Sequence, residues 1–247
     1  MRIATPDDKA LIENIVNHPD VLRFAADDAA PGFDATPYLG PPHIALIVEG
    51  GCFLGIWHGY GRVECHTNFL PTARGKTALL EARRAIDFMF LKTNCFGLVT
   101  RVPQNNPAAD WFTRAMGFRL RFERDAAWVK DGVAFPVRFY ELDLDDWIAQ
   151  GHCVQAGRDF HEKLQALLPD RHAHAEDHIH DCYVGAAAEM IRNGQVEKAA
   201  LFYNRWATWA GYSEISVVST DPLKIDIKDC VLSVRNGDFV VENHVVH

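Results

Sequence analysis

The N-terminal part of the chain alternates between strand-like and helix-like patterns of apolar residues. A first helix is predicted to begin at Asp7 or Asp8, because apolar residues between 11 and 16 fall on one side. A long irregular loop, rich in Pro, Gly, Asp and Ala, is predicted from Ala25 to Pro42. The other predicted elements are strands at 43–49, 52–58, 62–69, 95–102, 119–129 and 135–144, and helices at 77–91 and from Pro107 up to Gly117. This alternation predicts an α/β domain.

The pattern restarts near Gln150, where polarity rises, so we predict two domains, residues 1–149 and 150–247. The second domain is predicted to be a smaller α+β unit in which helices precede strands. Its predicted helices are 159–168, 176–192 and 195–209, and its predicted strands are 214–219, 223–227, 231–234 and 239–241. The pair Asn236-Gly237 indicates a two-residue hairpin.

Composition narrows the classes of partner. The 247 residues have 48% hydrophobic content and a net charge of −8, which favours a globular chain and disfavours nucleic acid as the main partner. No apolar run reaches the roughly 18–20 residues that a membrane helix needs, and early acidic residues argue against a secretion signal, so no membrane partner is expected. The six cysteines lie far apart, and we expect them to be reduced and packed.

Histidines crowd residues 172–180, and His174, His178 and Cys182 recur every four residues, as metal ligands on one helical side would. Acidic residues interrupt this stretch and no second ligand pair matches it, so we predict no metal site. The helix at 195–209 carries a stripe of large aromatic residues, which predicts either a core or a subunit contact. The stripe consists of Phe202, Tyr203, Trp206 and Trp209.

Two segments carry a family resemblance. Residues 71–79 read PTARGKTAL between a predicted strand and helix, and Asn106-Pro107-Ala108-Ala109 opens a second helix that closes at Gly117-Phe118. This order resembles the GNAT family of acyl-CoA-dependent N-acyltransferases. The resemblance implies a mixed, twisted sheet flanked by helices and, for an active member, acetyl-CoA as cofactor. It also implies the site residues, namely Glu64 as catalytic base and Arg74, Gly75, Lys76, Thr77 and Asn106 as coenzyme-binding residues.

The chain also departs from that family at two places. Thr77 and Leu79 occupy positions where the family has small residues that let phosphate approach the backbone, so we expect coenzyme binding to be weak. Thr113 occupies the position of a tyrosine that protonates the leaving thiolate, and a threonine hydroxyl is a far weaker acid. Two alternatives stay open at this point: Glu64 is either a base or a polar strand residue, and Arg74 and Lys76 either bind an anion or lie in a solvated loop.

A second resemblance concerns the kind of assembly in which the protein occurs. The segment Val63–Pro71, with Tyr203–Ala207 and Ala210–Tyr212 in the second domain, looks like proteins of short-tailed bacteriophages. It implies a virion component near the head-to-tail connection, an adaptor in a homo-oligomeric ring with other virion proteins, made in the host cytoplasm. On this reading catalysis is lost or vestigial, and the second domain mediates association. The alternative is an active, cytoplasmic, acetyl-CoA-dependent N-acetyltransferase.

Overall fold

The computed structural model describes residues 1–30, 32–167, 177–220, 223–227, 230–235 and 238–244. The chain divides into two compact units, one made of Met1–Phe90 and Cys95–Leu144 and the other of Leu91–Asn94 and Asp145–His247. The first unit thus ends at Leu144, whereas the sequence pattern placed the boundary after residue 149. The difference arises because a short helix, α5 (Leu144–Ala149), follows the last strand of the first unit directly.

Seven strands of the described chain form one mixed sheet in the order β1-β2-β3-β4-β5-β7-β6. Strands β4 and β5 are parallel, and the other neighbours are antiparallel. The strands are β1 (Arg2–Ile3), β2 (Ile44–Val48), β3 (Gly51–Gly59), β4 (Arg62–Phe69), β5 (Gly97–Pro103), β6 (Arg119–Lys130) and β7 (Val133–Asp143). The helices of this part are α1 (Lys9–Val16), α2 (Pro19–Ala25), α3 (Lys76–Lys92) and α4 (Pro107–Ala115). The expected mixed α/β sheet flanked by helices is confirmed.

Helices cover the two faces of the sheet unequally. On one face, Ile12 and Ile15 of α1 form a buried cluster with Cys52 and Leu54 of β3. Helices α3 and α4 lie against the other face, where Ala82, Ile86 and Met116 are among the buried residues. Helix α1 packs over β2 and β3 on its face of the sheet. On the same face of the sheet, the part formed by β4–β7 carries polar side chains, which include those of Glu64, Arg101 and Glu141.

The tip of the β6–β7 hairpin is bonded to the loop that follows α2. The carboxylate of Asp28 accepts hydrogen bonds from the main-chain amides of Asp131 (3.0 Å) and Gly132 (2.9 Å), and the amide of Asp28 donates to the carbonyl of Val129 at 3.0 Å. The amide of Gly132 is the larger cause that lowers the pKa of Asp28, followed by the amide of Asp131. The hairpin tip is therefore fixed to the N-terminal part of the same unit.

The second unit contains three longer helices and an antiparallel sheet with the order β11-β10-β9-β8. Its elements are α6 (Val154–Leu167), α7 (His178–Arg192), α8 (Val196–Ala210), β8 (Ile215–Thr220), β9 (Leu223–Ile227), β10 (Cys230–Arg235) and β11 (Asp238–His244). The predicted turn at Asn236-Gly237 lies outside the described residues, but Arg235 and Asp238 on either side of it are paired. None of the helices that the structure describes is long and apolar enough to cross a membrane.

Helices α6 and α7 are in direct backbone contact. A Cβ atom added to Gly157 would lie 1.9 Å from the carbonyl oxygen of Asp181, and one added to Gly185 would lie 2.0 Å from that of Cys153. Both distances are far below a van der Waals contact, so only glycine fits at either position.

The aromatic stripe of α8 divides between core and surface. Phe202, Tyr203 and Trp206 are buried, and the ring of Trp206 stacks on that of Tyr183 with centroids 4.4 Å apart. Trp209 is 85% exposed. Three residues of the stripe thus belong to the core, whereas Trp209 lies at the surface, where a subunit contact stays a prediction.

We expect Gly185→Ala to lower the free energy of unfolding by about 2 kcal/mol or more, because the new methyl group must push α6 away from α7. Urea unfolding followed by tryptophan fluorescence measures this change. Gly40→Ala is the matched control, since nothing lies within 4 Å of a Cβ atom at Gly40. An unfolding midpoint for Gly185→Ala equal to that of the wild type would contradict the close crossing.

Candidate functional site

A cavity of about 50 Å³ lies between the sheet and helices α3 and α4. Strands β4 and β5 pair only from Arg62–Glu64 to Gly97–Val99, although both strands continue beyond these pairs. The cavity forms on the α3/α4 side of this divergence. Its walls include Val63, Cys65 and Thr67 of β4, Leu98 and Thr100 of β5, Ala82, Ile86 and Met89 of α3, and Phe112, Thr113 and Met116 of α4.

The cavity walls offer almost no proton chemistry. Most lining side chains are apolar, and the polar ones are the hydroxyls of three threonines and the thiol of Cys65. Burial, with smaller contributions from Cys95 and Glu64, raises the pKa of Cys65 to about 12, and its Sγ donates to the carbonyl of Val99 at 3.4 Å. The thiol therefore stays protonated at neutral pH. Thr113, at the position of the family's tyrosine, is buried and lines this cavity.

Glu64 lies on the opposite face of the sheet from the cavity-lining residues Val63 and Cys65, because neighbouring residues of a strand point to opposite faces. Its carboxylate is buried and has three cationic or imidazole partners. Arg101 donates from Nε at 2.7 Å and lies 2.6 Å away through a terminal nitrogen, while His66 and His58 each place Nε2 at 3.0 Å. Both carboxylate oxygens are thereby engaged.

These partners determine the charge of Glu64. Burial, the largest single effect, would raise its pKa, but the hydrogen bond and charge of His66, the charge of Arg101 and the hydrogen bond of His58 together lower the pKa from 4.5 to about 2. General-base catalysis is most effective when the pKa lies near the working pH. Glu64 is therefore a fixed carboxylate with little tendency to accept a proton from an amine.

The predicted coenzyme loop lies at the start of α3. Gly75 has a φ of +76°, which favours glycine, and its carbonyl accepts the hydrogen bond from Leu79 at 3.1 Å that begins the helix. The side chain of Arg74 turns back to the fold, where Nη2 donates to the carbonyl of Asp20 at 2.8 Å. Arg74, Gly75 and Lys76 are exposed, whereas Thr77 and Leu79 are half-buried.

Asn106 caps the N-terminus of α4. Its Oδ1 accepts a hydrogen bond from the amide of Ala109 at 3.1 Å, and Pro107 occupies the first helical position. The capping prediction is confirmed. The cap accounts for an asparagine at this position without any ligand.

A second charged cluster, which sequence reasoning did not find, lies beside Glu64 on the same face. The carboxylate of Glu141 on β7 accepts hydrogen bonds from Arg62 of β4 and, at 2.7 Å, from Arg121 of β6. Arg121 also donates to Asp143 at 3.0 Å. These residues are far apart in sequence and meet only through the order of the strands, so no local motif marks them.

The histidine-rich stretch gives no metal site among the described residues. No group of three side chains with metal-binding chemistry is found there, and His172 and His174 lie outside the described part of the chain. Nε2 of His178 lies 3.8 Å from Sγ of Cys182 on the next turn of α7. Among the described cysteines, Cys52, Cys65 and Cys182 are free thiols, and Cys52 and Cys182 are buried.

A mixed sheet in which two parallel central strands diverge, with helices on both faces, is the fold of the GNAT acetyltransferases. The spermidine N-acetyltransferase of Vibrio cholerae, solved with CoA and spermine, matches with a TM-score of 0.53 and 18% identity over 60% of this chain and 96% of that one. The yncA protein of Salmonella typhimurium, solved with its cofactor acetyl-CoA, matches with a TM-score of 0.50 and 23% identity over 58% and 92%. No protein-family model and no curated protein sequence matches the chain. The expected GNAT-like fold is confirmed.

We expect Arg101→Met to raise the pKa of Glu64 above about 2, because it removes the cation closest to the carboxylate. A pH titration of carboxyl ¹³C shifts measures this pKa, and Arg83→Met, which removes an exposed arginine of α3, should leave it unchanged.

Because folding lowers the pKa of Glu64, the stability contributed by Glu64 is present above pH 4.5 and is lost as the pH falls toward 2. A wild-type midpoint near 4.5 would show that the three partners do not act as described.

Proposed function

We propose that this protein is a GNAT-fold assembly component in which catalysis is lost or vestigial. The observation that carries the proposal is the state of Glu64, which three partners hold as a carboxylate with a pKa of about 2. The base of an N-acetyltransferase has to take a proton from its acceptor amine, and this carboxylate is poorly suited to do so. Thr113, which stands at the position of the family's tyrosine, supplies no general acid for the leaving thiolate either.

The cavity supports the same proposal. Its volume of about 50 Å³ holds a few water molecules, because one water needs roughly 10–15 Å³ by the same kind of measure. Together with the half-buried Thr77 and Leu79 beside the loop, this argues that acetyl-CoA binds weakly or not at all.

The sequence resemblance to proteins of short-tailed bacteriophages supports a specific setting for this assembly role. We place the protein in the virion, near the head-to-tail connection, as a homo-oligomeric ring that contacts other virion proteins. The second unit is the part proposed to mediate association, and the exposed Leu201 and Trp209 on α8 support this role.

An active N-acetyltransferase is the second candidate, and one observation favours it. Glu64 lies where β4 and β5 separate, in a fold whose similar structures include proteins solved with CoA or acetyl-CoA. In this reading Glu64 is the base, and Arg74, Gly75, Lys76, Thr77 and Asn106 bind acetyl-CoA. Such an enzyme would act in the cytoplasm.

Calorimetric titration with acetyl-CoA separates the two candidates. We expect a dissociation constant in the millimolar range or no detectable heat, since the loss of two close backbone contacts to phosphate can weaken a micromolar site about a thousandfold. The spermidine N-acetyltransferase of Vibrio cholerae serves as the positive control. Micromolar binding, with amine acetylation that falls by roughly 10² in Glu64→Gln, would contradict the assembly proposal and support the enzyme.

Light scattering tests the assembly role directly. We expect a discrete oligomer, formed by the protein alone or with partner proteins of the virion. A monomer at every concentration, with no co-assembly, would count against the proposal.

A further inference from the structure

One face of the first unit concentrates arginine side chains on three strands of the sheet, β4, β5 and β6. It is the face that carries Glu64, over β4–β7. We call it the arginine face and define it by Arg62, Arg101, Arg119, Arg121, Arg124 and Phe122.

Strand register and hydrogen bonds place these residues on one face. Arg119 and Phe122 stand opposite Glu141 and Phe139 of β7, and Arg124 stands opposite Val137; these three β7 residues alternate along the strand and so share a face. Arg62 and Arg121 bond to Glu141, and Arg101 bonds to Glu64, which fixes their side chains on the same face.

The charges on this face are arranged in two layers. The carboxylates of Glu64 and Glu141 form the inner layer, with side chains only 10% exposed. The arginines form the outer layer, with side chains that are 54% exposed at Arg62 and 52% at Arg101. A partner that approaches this face therefore meets mainly guanidinium groups, together with the carboxylate of Asp143, which is 37% exposed and paired with Arg121.

The arginine face also offers an aromatic surface. Phe122 is 56% exposed and stacks on Phe139 with ring centroids 4.4 Å apart. Arginine and aromatic residues are the types enriched at the centres of protein interfaces. The expected partner is therefore a protein surface with acidic groups around an apolar centre.

The acidic excess of the chain lies in its C-terminal part. Residues 145–247 contain 16 Asp and Glu against 9 Lys and Arg, whereas residues 1–144 contain 17 against 16. The protein thus has a nearly neutral N-terminal part with an arginine-rich face and a strongly acidic C-terminal part. The charges of two copies are complementary when the N-terminal part of one copy contacts the C-terminal part of the other.

Helix α8 presents a surface with exposed apolar and acidic side chains, on which the guanidinium of Arg205 is paired with the carboxylate of Asp145. Glu197, Leu201, Arg205 and Trp209 recur every four residues, so they lie along one side of the helix, and all four are exposed. Leu201 is 66% exposed and Trp209 85%. The exposed Glu214, which accepts a hydrogen bond from Thr208 of α8, adds a second acidic group. We call this surface the outer face of α8.

We propose that the arginine face of one copy docks on the outer face of α8 of a second copy. The inference rests on the assembly role proposed above and specifies the contact. Because the two surfaces differ, each copy carries one arginine face and one outer face of α8, and the contact is head-to-tail. Head-to-tail contacts form a closed ring when the rotation between copies closes.

Charge reversal on each side tests this contact, with light scattering and sedimentation velocity as readouts. Arg124→Glu and Glu197→Arg should each raise the dissociation constant of the oligomer by about tenfold or more, because each places like charges in contact. An equimolar mixture of the two variants should restore the oligomer, since the reversed face of each variant then meets a complementary face of the other. Wild-type association should weaken as salt rises.

Arg83→Glu and Glu162→Arg are the matched controls, since both residues are exposed and lie outside the two faces. They should leave the oligomer unchanged. A wild-type oligomer that survives Arg124→Glu and Glu197→Arg would overturn this contact and leave the assembly role standing. A wild-type protein that never associates would overturn both. Binding of a DNA duplex that is lost in Arg124→Glu and kept in Arg83→Glu, without an oligomer, would assign the arginine face to nucleic acid and overturn the contact.

Discussion

The early separation of β4 from β5 is the constraint on which the rest of the first unit depends. Glu64 belongs to the last pair between the two strands, with Val99 opposite, and Arg101 lies two residues further along β5. The bond from Arg101 to Glu64 therefore joins the strands at the point where their main-chain pairing ends. A buried carboxylate is costly unless it is well paired, and here the pairing links β4 to β5 where their main-chain pairing ends. This structural duty explains an ionised glutamate at this position without a catalytic step.

The two faces of the sheet at this junction have different chemistry as a result. On the α3/α4 side the diverging strands enclose an apolar space with a protonated thiol. On the other side the carboxylates of Glu64 and Glu141 lie beneath cations drawn from three strands. The GNAT-like sheet thus has an apolar cavity on one side of the junction and a paired, ionised carboxylate on the other.

The sequence predicted features that depend on neighbours along the chain. The long helix α3, the cap at Asn106 and the paired strands of the second unit all follow from spacings of a few residues. Helices α2 and α5 were missed because both are short, and the start of α5 at Leu144 continues the apolar pattern of β7. The state of Glu64 was only partly accessible from the sequence, since His66 lies two residues away on the same strand face, whereas Arg101 is 37 residues away and reaches Glu64 only through the strand order. For the same reason the contact of Arg62 with Glu141, 79 residues apart, left no local signal.

The bonds of Asp28 have a consequence for the order in which the chain acquires its structure. Its two amide partners lie 103 and 104 residues further along the chain. During synthesis the loop after α2 therefore lacks these hydrogen bonds until the β6–β7 hairpin has left the ribosome. A contact between such distant segments also forms late in refolding, because closing a long loop costs entropy before any bond is gained.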